Sequence, residues 1–260
     1  TLLYSETTLL IFSGIDIITK NNSISSSVKG YLLKYTFNKL KSNDEIDAYV
    51  IFDADNVVHR EFLNKMNDSI NCGYEVVQGF RDTKNICDNW LSTSYAILYY
   101  LQSLFINKSR FNFGMSSFLN GTGFMVKKET IDRYGYDPKT ITEDIEYTAI
   151  CAINGIKIAF NENAITYDEQ VTDFKSSLKQ RKRWSFGAIQ CLKNYTGSLI
   201  KEGIKNKRFE CFDVIIFYFG IIFHVLFTIV SLIGIFYNVF YLNDFNSMDV
   251  VFFFFFFFFN

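Results

Sequence analysis

Two carboxylates, Asp53 and Asp55, sit one residue apart directly after an apolar run over 48–52. A strand that ends on acidic residues carries them to the carboxyl edge of an open α/β sheet, where ligands bind. Hard divalent cations such as Mg2+ and Mn2+ take oxygen ligands, often one or two carboxylates completed by substrate phosphates. Asp53-Ala54-Asp55 therefore points to a metal shared between the pair and a diphosphate. The plainer reading of the same residues is a solvated loop after a strand. A second acidic segment, Thr142-Glu143-Asp144, heads a helical stripe that includes Ile145 and Ile150. Thr140 or Thr142 is placed to cap that helix, and acidic residues in a first turn are favoured by the helix dipole whatever else they do. A chemical role would make Asp144 a general base, because a carboxylate at the end of an element can face a cleft and reach a proton.

Gln180-Arg181-Lys182-Arg183-Trp184 lies in a helical stretch. Gln180, Arg183 and Trp184 are three and four residues apart and share one face, with Arg181 and Lys182 pointing elsewhere. A guanidinium fork suits a diphosphate, and an indole is a flat platform for a sugar ring. A basic amphipathic helix at a membrane surface has the same pattern. Lys29-Gly30 puts a lysine beside a flexible residue at a helix start, where it can approach a phosphate or a base. The glycines of Gly121-Thr122-Gly123 permit close ligand approach or a simple bulge.

The elements that must position these groups alternate between strand and helix. The runs 15–18, 48–52, 74–79, 118–126, 156–160 and 164–167 read as strands. Helical stripes run through Leu33, Phe37 and Leu40, through Phe62, Met66 and Ile70, through Ile97, Leu101 and Phe105, and over 174–195. The unbroken apolar character of 48–52 is that of a strand buried on both faces, as in parallel sheets. The pattern is βαβ alternation, with helices covering a mostly parallel sheet. An apolar content of 49% and a net charge of −1 exclude a disordered chain and a basic nucleic-acid binder. The five cysteines have no paired spacing and the two histidines, His59 and His224, lie far apart, which argues against a zinc site and suits a reducing compartment.

Composition shifts near residue 200. Lys201, Lys205, Lys207 and Arg208 form a basic cluster, and 214–237 is almost wholly apolar. About 20 such residues cross a bilayer, so this stretch is expected to be a transmembrane helix. The cluster before it puts the N-terminal domain on the cytoplasmic side of the cell membrane. The expected organisation is a catalytic domain over 1–200 and a basic juxtamembrane segment with a membrane region over 201–260. The eight phenylalanines of 252–259 open a second membrane segment or are a homopolymer tract. The chain reads as a fragment at both ends.

The order of these features is more specific than any one of them. Lys29-Gly30, Asp53-Ala54-Asp55, Gln78-Gly79, Gly121-Thr122-Gly123, Thr142-Glu143-Asp144 and Gln180-x-x-Arg183-Trp184 follow one another, with the apolar stretch after them. Over roughly residues 15–240 this resembles the glycosyltransferases of family 2 of the processive, membrane-bound type, which include cellulose, hyaluronan and poly-N-acetylglucosamine synthases. The resemblance implies a GT-A fold, a nucleotide-sugar donor (usually a UDP-sugar), a saccharide or glycolipid acceptor, a lipid bilayer as surroundings, and Mg2+ or Mn2+. It implies that Asp53 and Asp55 hold the metal and donor diphosphate, that Lys29 with Gly30 contacts the nucleotide, and that Asp144, with Glu143 beside it, is the base. Arg183 falls to the donor, and Gln180, Trp184, Gly121, Thr122 and Gly123 to the acceptor.

The chain departs from that pattern at its start. Residues 1–14 do not read as the strand and loop that carry an early nucleotide-contacting aspartate, and Asp16 is a poor substitute, so the domain is expected to be truncated at its N-terminus. The expected reaction is attack by an acceptor hydroxyl on the anomeric carbon, with its proton passing to Asp144. Metal and Arg183 would offset the charge of the leaving diphosphate, and the anomeric centre would invert. Two other readings compete: a metal-dependent nucleotidyltransferase, and an inactive truncated paralogue serving as a membrane scaffold.

Overall fold

A computed structural model describes the backbone of Thr7–Ile11, Asp16–Ile18 and residues 29–237, and side chains from residue 29 onward except at 221, 222, 224, 225, 227 and 228. Seven strands form one sheet in the order β2-β1-β3-β6-β5-β7-β4. They are β1 (Thr7–Ile11), β2 (Asp16–Ile18), β3 (Ala48–Asp53), β4 (Val57–Val58), β5 (Val76–Thr83), β6 (Phe124–Lys127) and β7 (Ile158–Asp168). The helices are α1 (Lys29–Leu40), α2 (Phe62–Asn71), α3 (Trp90–Leu101), α4 (Ser109–Asn112), α5 (Lys128–Tyr134), α6 (Glu143–Asn154), α7 (Phe174–Asn206) and α8 (Phe209–Tyr237). A π-helical stretch, Gln102–Lys108, joins α3 to α4.

The sheet is mixed, which corrects the expectation of a mostly parallel one. Only β5 and β7 pair in parallel; β6 lies antiparallel between β3 and β5, and β1 pairs antiparallel with β3. The unbroken apolar run of β3 reports cover on both faces rather than strand direction. Tyr49 and Ile51 pack with Leu33 and Phe37 of α1 and Tyr147 of α6. Ala48, Val50 and Phe52 pack on the other face with Phe62 and Met66 of α2. Since β6 is antiparallel to β3 and β5, the carboxyl ends of β3, β5 and β7 share one rim with the start of β6. That rim carries Asp53, Thr83, Asp168 and the 121–123 segment.

Other local readings shift. Thr7–Ile11 is a strand where no strand is read from the sequence. The expected strand over 118–126 shrinks to Phe124–Lys127, because Gly121 and Gly123 take φ of 81° and 63°. The two short strands read over 156–167 are one strand, β7. The expected span, 214–237, falls in α8, whose first three turns belong to the core. Val214 and Tyr218 are buried there, with Leu199, Cys191 and Ile145 as neighbours. Among the described residues no helix is long and apolar enough to cross a membrane. The phenylalanine run lies outside the described residues, as does Asp16 as a side chain.

Candidate active site

Lys29, the first residue of α1, is the hub of the rim. Its Nζ donates to Asp53 Oδ1 at 2.5 Å and to the carbonyl of Gly121. Burial opposes its charge, but Asp53, Glu143 and Asp144 outweigh burial and raise its pKa. Gly30 lets α1 start against the loop before α6: a Cβ there would lie 2.7 Å from Pro138 Cγ and 3.2 Å from Glu143 Cβ. Gly121 lies as close to the acidic turn, since a Cβ would stand 3.2 Å from Asp144 Oδ2. Lys29, Asp53, Gly121, Glu143 and Asp144 therefore meet in one place.

The floor beneath them is a polar network that sequence reasoning missed. Asp53 N donates to Thr122 Oγ1 and to Asn56 Oδ1, each at 3.0 Å, and Asn56 Nδ2 donates to Asp168 Oδ1 at 2.9 Å. Arg81 Nε donates to Asp168 Oδ2 at 2.8 Å, and Arg81 Nη1 to the Asn120 carbonyl at 3.1 Å. The guanidinium lies 3.7 Å from the centre of the Tyr99 ring. Gln78 donates to the Thr122 carbonyl and accepts from Asn120 N, both at 3.0 Å. Gln78 and Arg81 thus fix the backbone of 120–123. The buried amide of Asn120 itself has no hydrogen-bond partner among the described residues. One signal was legible: Asp168 ends its strand as Asp53 ends β3.

Glu143 and Asp144 open α6 without a side-chain cap from Thr142. The loop before them is held by Glu146, whose carboxylate accepts from Lys139 N at 2.8 Å and from Thr140 N and Oγ1, both at 2.8 Å. Burial pushes the Glu143 carboxyl up to about 7, helped by the charge of Asp144. Burial also raises Asp144, against the backbone N–H of Ile145 and the charge of Lys29. Between its ordinary 4.5 and about 7, the folded chain keeps a Glu143 proton that the unfolded chain has released. Stability therefore falls as pH rises through that window. Glu143→Gln is expected to flatten this slope, which urea unfolding at pH 4.5 to 7.5 would measure.

Helix α7 crosses over the acidic turn. A Cβ at Gly187 would stand 2.2 Å from Thr142 Oγ1, and Gln190 Oε1 accepts from Ile141 N at 3.1 Å. Trp184 sets its edge on Tyr95 and Tyr99, at 6.2 and 6.5 Å between ring centres, and Tyr99 in turn carries Arg81. The expected division of faces is corrected. Arg181 turns inward, donating to Tyr95 Oη at 3.3 Å, whereas Arg183 is exposed and makes no ion pair among the described residues. A three-residue offset puts Arg181 beside Trp184 as readily as a four-residue offset puts Gln180 there. Gln180 is half-buried, and its Oε1 has no partner among the described residues.

For a metal the donor set is Asp53 and Asp55. Burial raises the Asp55 carboxyl, with Asp168 and Asp53 adding to the rise. An ion would relieve that crowding of negative charge. Among the described residues no group of three His, Cys, Asp or Glu is arranged to hold an ion. Two carboxylates completed by phosphate oxygens and water are compatible with a hard divalent cation such as Mg2+ or Mn2+.

The described sheet is mixed α/β, with acidic residues, a partly buried lysine and a glycine-bounded segment at one rim. Residues 9–187 match the family described as "Glycosyltransferase like family 2". That is more than half of the chain, which belongs to this family. The chain is also similar to "Probable glycosyltransferase YdaM" of Bacillus subtilis (strain 168), 25% identical over 199 residues. The match covers 68% of this chain and 44% of that relative, so the chain spans under half the relative's length.

Proposed function

We propose that the chain transfers a sugar from a UDP-sugar to a saccharide or lipid-linked acceptor, with inversion at the anomeric carbon. The observation that carries the reading is the meeting of Lys29, Asp53, Gly121 and Asp144 at one rim. Asp144 takes the acceptor proton, and the buried setting that raises its pKa makes it a stronger base. Lys29 sits where the donor phosphates arrive and exchanges Asp53 for them. Trp184, on its aromatic support, offers a face to the sugar acceptor. Asp53 and Asp55 would hold Mg2+ or Mn2+, which supplies positive charge to the leaving diphosphate. Labelled nucleotide-sugars incubated with the chain and candidate acceptors test this. Release of a nucleoside diphosphate supports it; release of pyrophosphate would make the chain a nucleotidyltransferase.

Metal dependence has its own expected result. Chelation abolishes nucleotide binding, and Asp55→Asn weakens the metal-dependent part by at least about tenfold. Calorimetry with UDP, with and without Mn2+, reads both effects; metal-independent binding would remove Asp53 and Asp55 from that role.

The second half of the proposal is a bilayer. The outer side of α8 exposes Ile216, Phe219, Phe223, Leu226, Val230 and Ile233. The basic residues Lys201, Lys205, Lys207 and Arg208 precede it. With five free cysteines in the domain, this favours a catalytic domain on the cytoplasmic side of the cell membrane. Gln180-x-x-Arg183-Trp184 favours the processive type. Partition of the full chain between membrane and soluble fractions checks the location.

A further inference from the structure

We propose that Tyr218 is a positioning residue for the acidic turn, so that α8 is a working part of the active site and not only its attachment. This rests on Asp144 being the base. Tyr218 is fully buried, and its hydroxyl donates to the Ile145 carbonyl at 2.9 Å. Ile145 follows Asp144 in the first turn of α6, and its backbone N–H favours the charged form of the Asp144 carboxylate. The residue next to the carboxylate is thus itself held from behind by α8. The same helix holds the far end of α6, where Cys211 Sγ donates to the Ala152 carbonyl at 3.4 Å, and Arg208, just before α8, donates to the Ile153 carbonyl. It also reaches the opposite wall. Phe217 stacks on Phe118 at 4.4 Å between ring centres, three residues before Gly121. Asp213 pairs with Arg110, which lies 4.2 Å from the Phe118 ring centre.

A helix's first turn has no upstream partners and frays most easily. The Tyr218 hydroxyl uses the second lone pair of a carbonyl in that turn, which leaves the intrahelical bond intact. Losing it frees the turn by a fraction of an ångström without opening the core, and proton transfer is sensitive to such displacement.

The test is Tyr218→Phe in the full chain, with Cys211→Ala as its companion at the far end of α6. Tyr218→Phe is expected to lower kcat about fivefold to tenfold, the reach of one hydrogen bond, with donor KM unchanged. In an Asp144→Asn background it should cause no further loss. Hydrogen exchange at the Thr148 and Ala149 amides, which bond back to Asp144 and Ile145, should quicken in Tyr218→Phe and not in Cys211→Ala. This readout needs no activity. Unchanged kcat and exchange in Tyr218→Phe would overturn the inference. So would an equal loss in the Asp144→Asn background, or the same kinetic defect in Cys211→Ala. A wild-type chain that transfers no sugar would instead overturn the base assignment on which the inference stands.

Discussion

Asp144→Asn is expected to lower sugar transfer at least about a hundredfold, the low end for loss of a general base. Donor binding should stay close to that of the wild type. The substitution keeps the shape of the side chain but removes the capacity to take a proton. The fold should tolerate it, because a neutral amide relieves the burial that raises the carboxyl. Its neighbour gives the contrast. Glu143 packs toward Gly30 and Pro138, whereas Asp144 Oδ2 lies against Gly121, over which the acceptor sugar is proposed to sit. Glu143→Gln should therefore slow transfer much less. Initial rates with a labelled UDP-sugar, beside UDP binding by calorimetry, separate chemistry from binding. Near-normal turnover by Asp144→Asn would remove Asp144 from the base role.

Residues that act through their own side chains at the ends of strands and helices were legible. Asp53, Glu143 and Asp144 end or begin elements whose apolar periodicity is plain, and the glycines at 30 and 121 are needed where backbone meets a neighbouring wall. What could not be read is what lies beneath. Arg81 is one residue of a buried strand, and nothing in its local spacing says that its partner is Asp168, 87 residues later. That pairing is made by the parallel register of β5 on β7, which sets Arg81 opposite Thr166 and Asp82 opposite Tyr167. Strand direction was misread for a related reason. Cover by helices on both faces makes a strand apolar throughout, whichever way its neighbours run. Gly187 and Gln190 were invisible likewise, because their partners, Thr142 and Ile141, meet them only where α7 crosses.

The buried pair under the rim is where the largest loss of stability is expected. Arg81 and Asp168 are both nearly inaccessible, at 8% and 3% of their surface. Burial opposes the charge of Arg81, yet Tyr99 and Asp168 outweigh it and its pKa is raised. Arg81→Met leaves Asp168 with only the neutral amides of Asn56 and Gln170 as donors, at 2.9 and 3.2 Å. Removing one partner of a buried ion pair costs about 3–5 kcal/mol, because the other charge stays buried without compensation. Arg81→Met/Asp168→Asn removes both charges and should recover most of that loss, since a pair replaced by neutral groups is close to neutral in stability. Its transfer rate should stay about tenfold to a hundredfold low. The Asn120 carbonyl has then lost its donor, while Gln78, Lys29 and Asp53 still hold the rest of the 120–123 segment beside Asp144. Urea unfolding and transfer assays on the single and double variants would show stability returning without activity. Recovery of both together would mean that Arg81 serves the fold and not the alignment of the site.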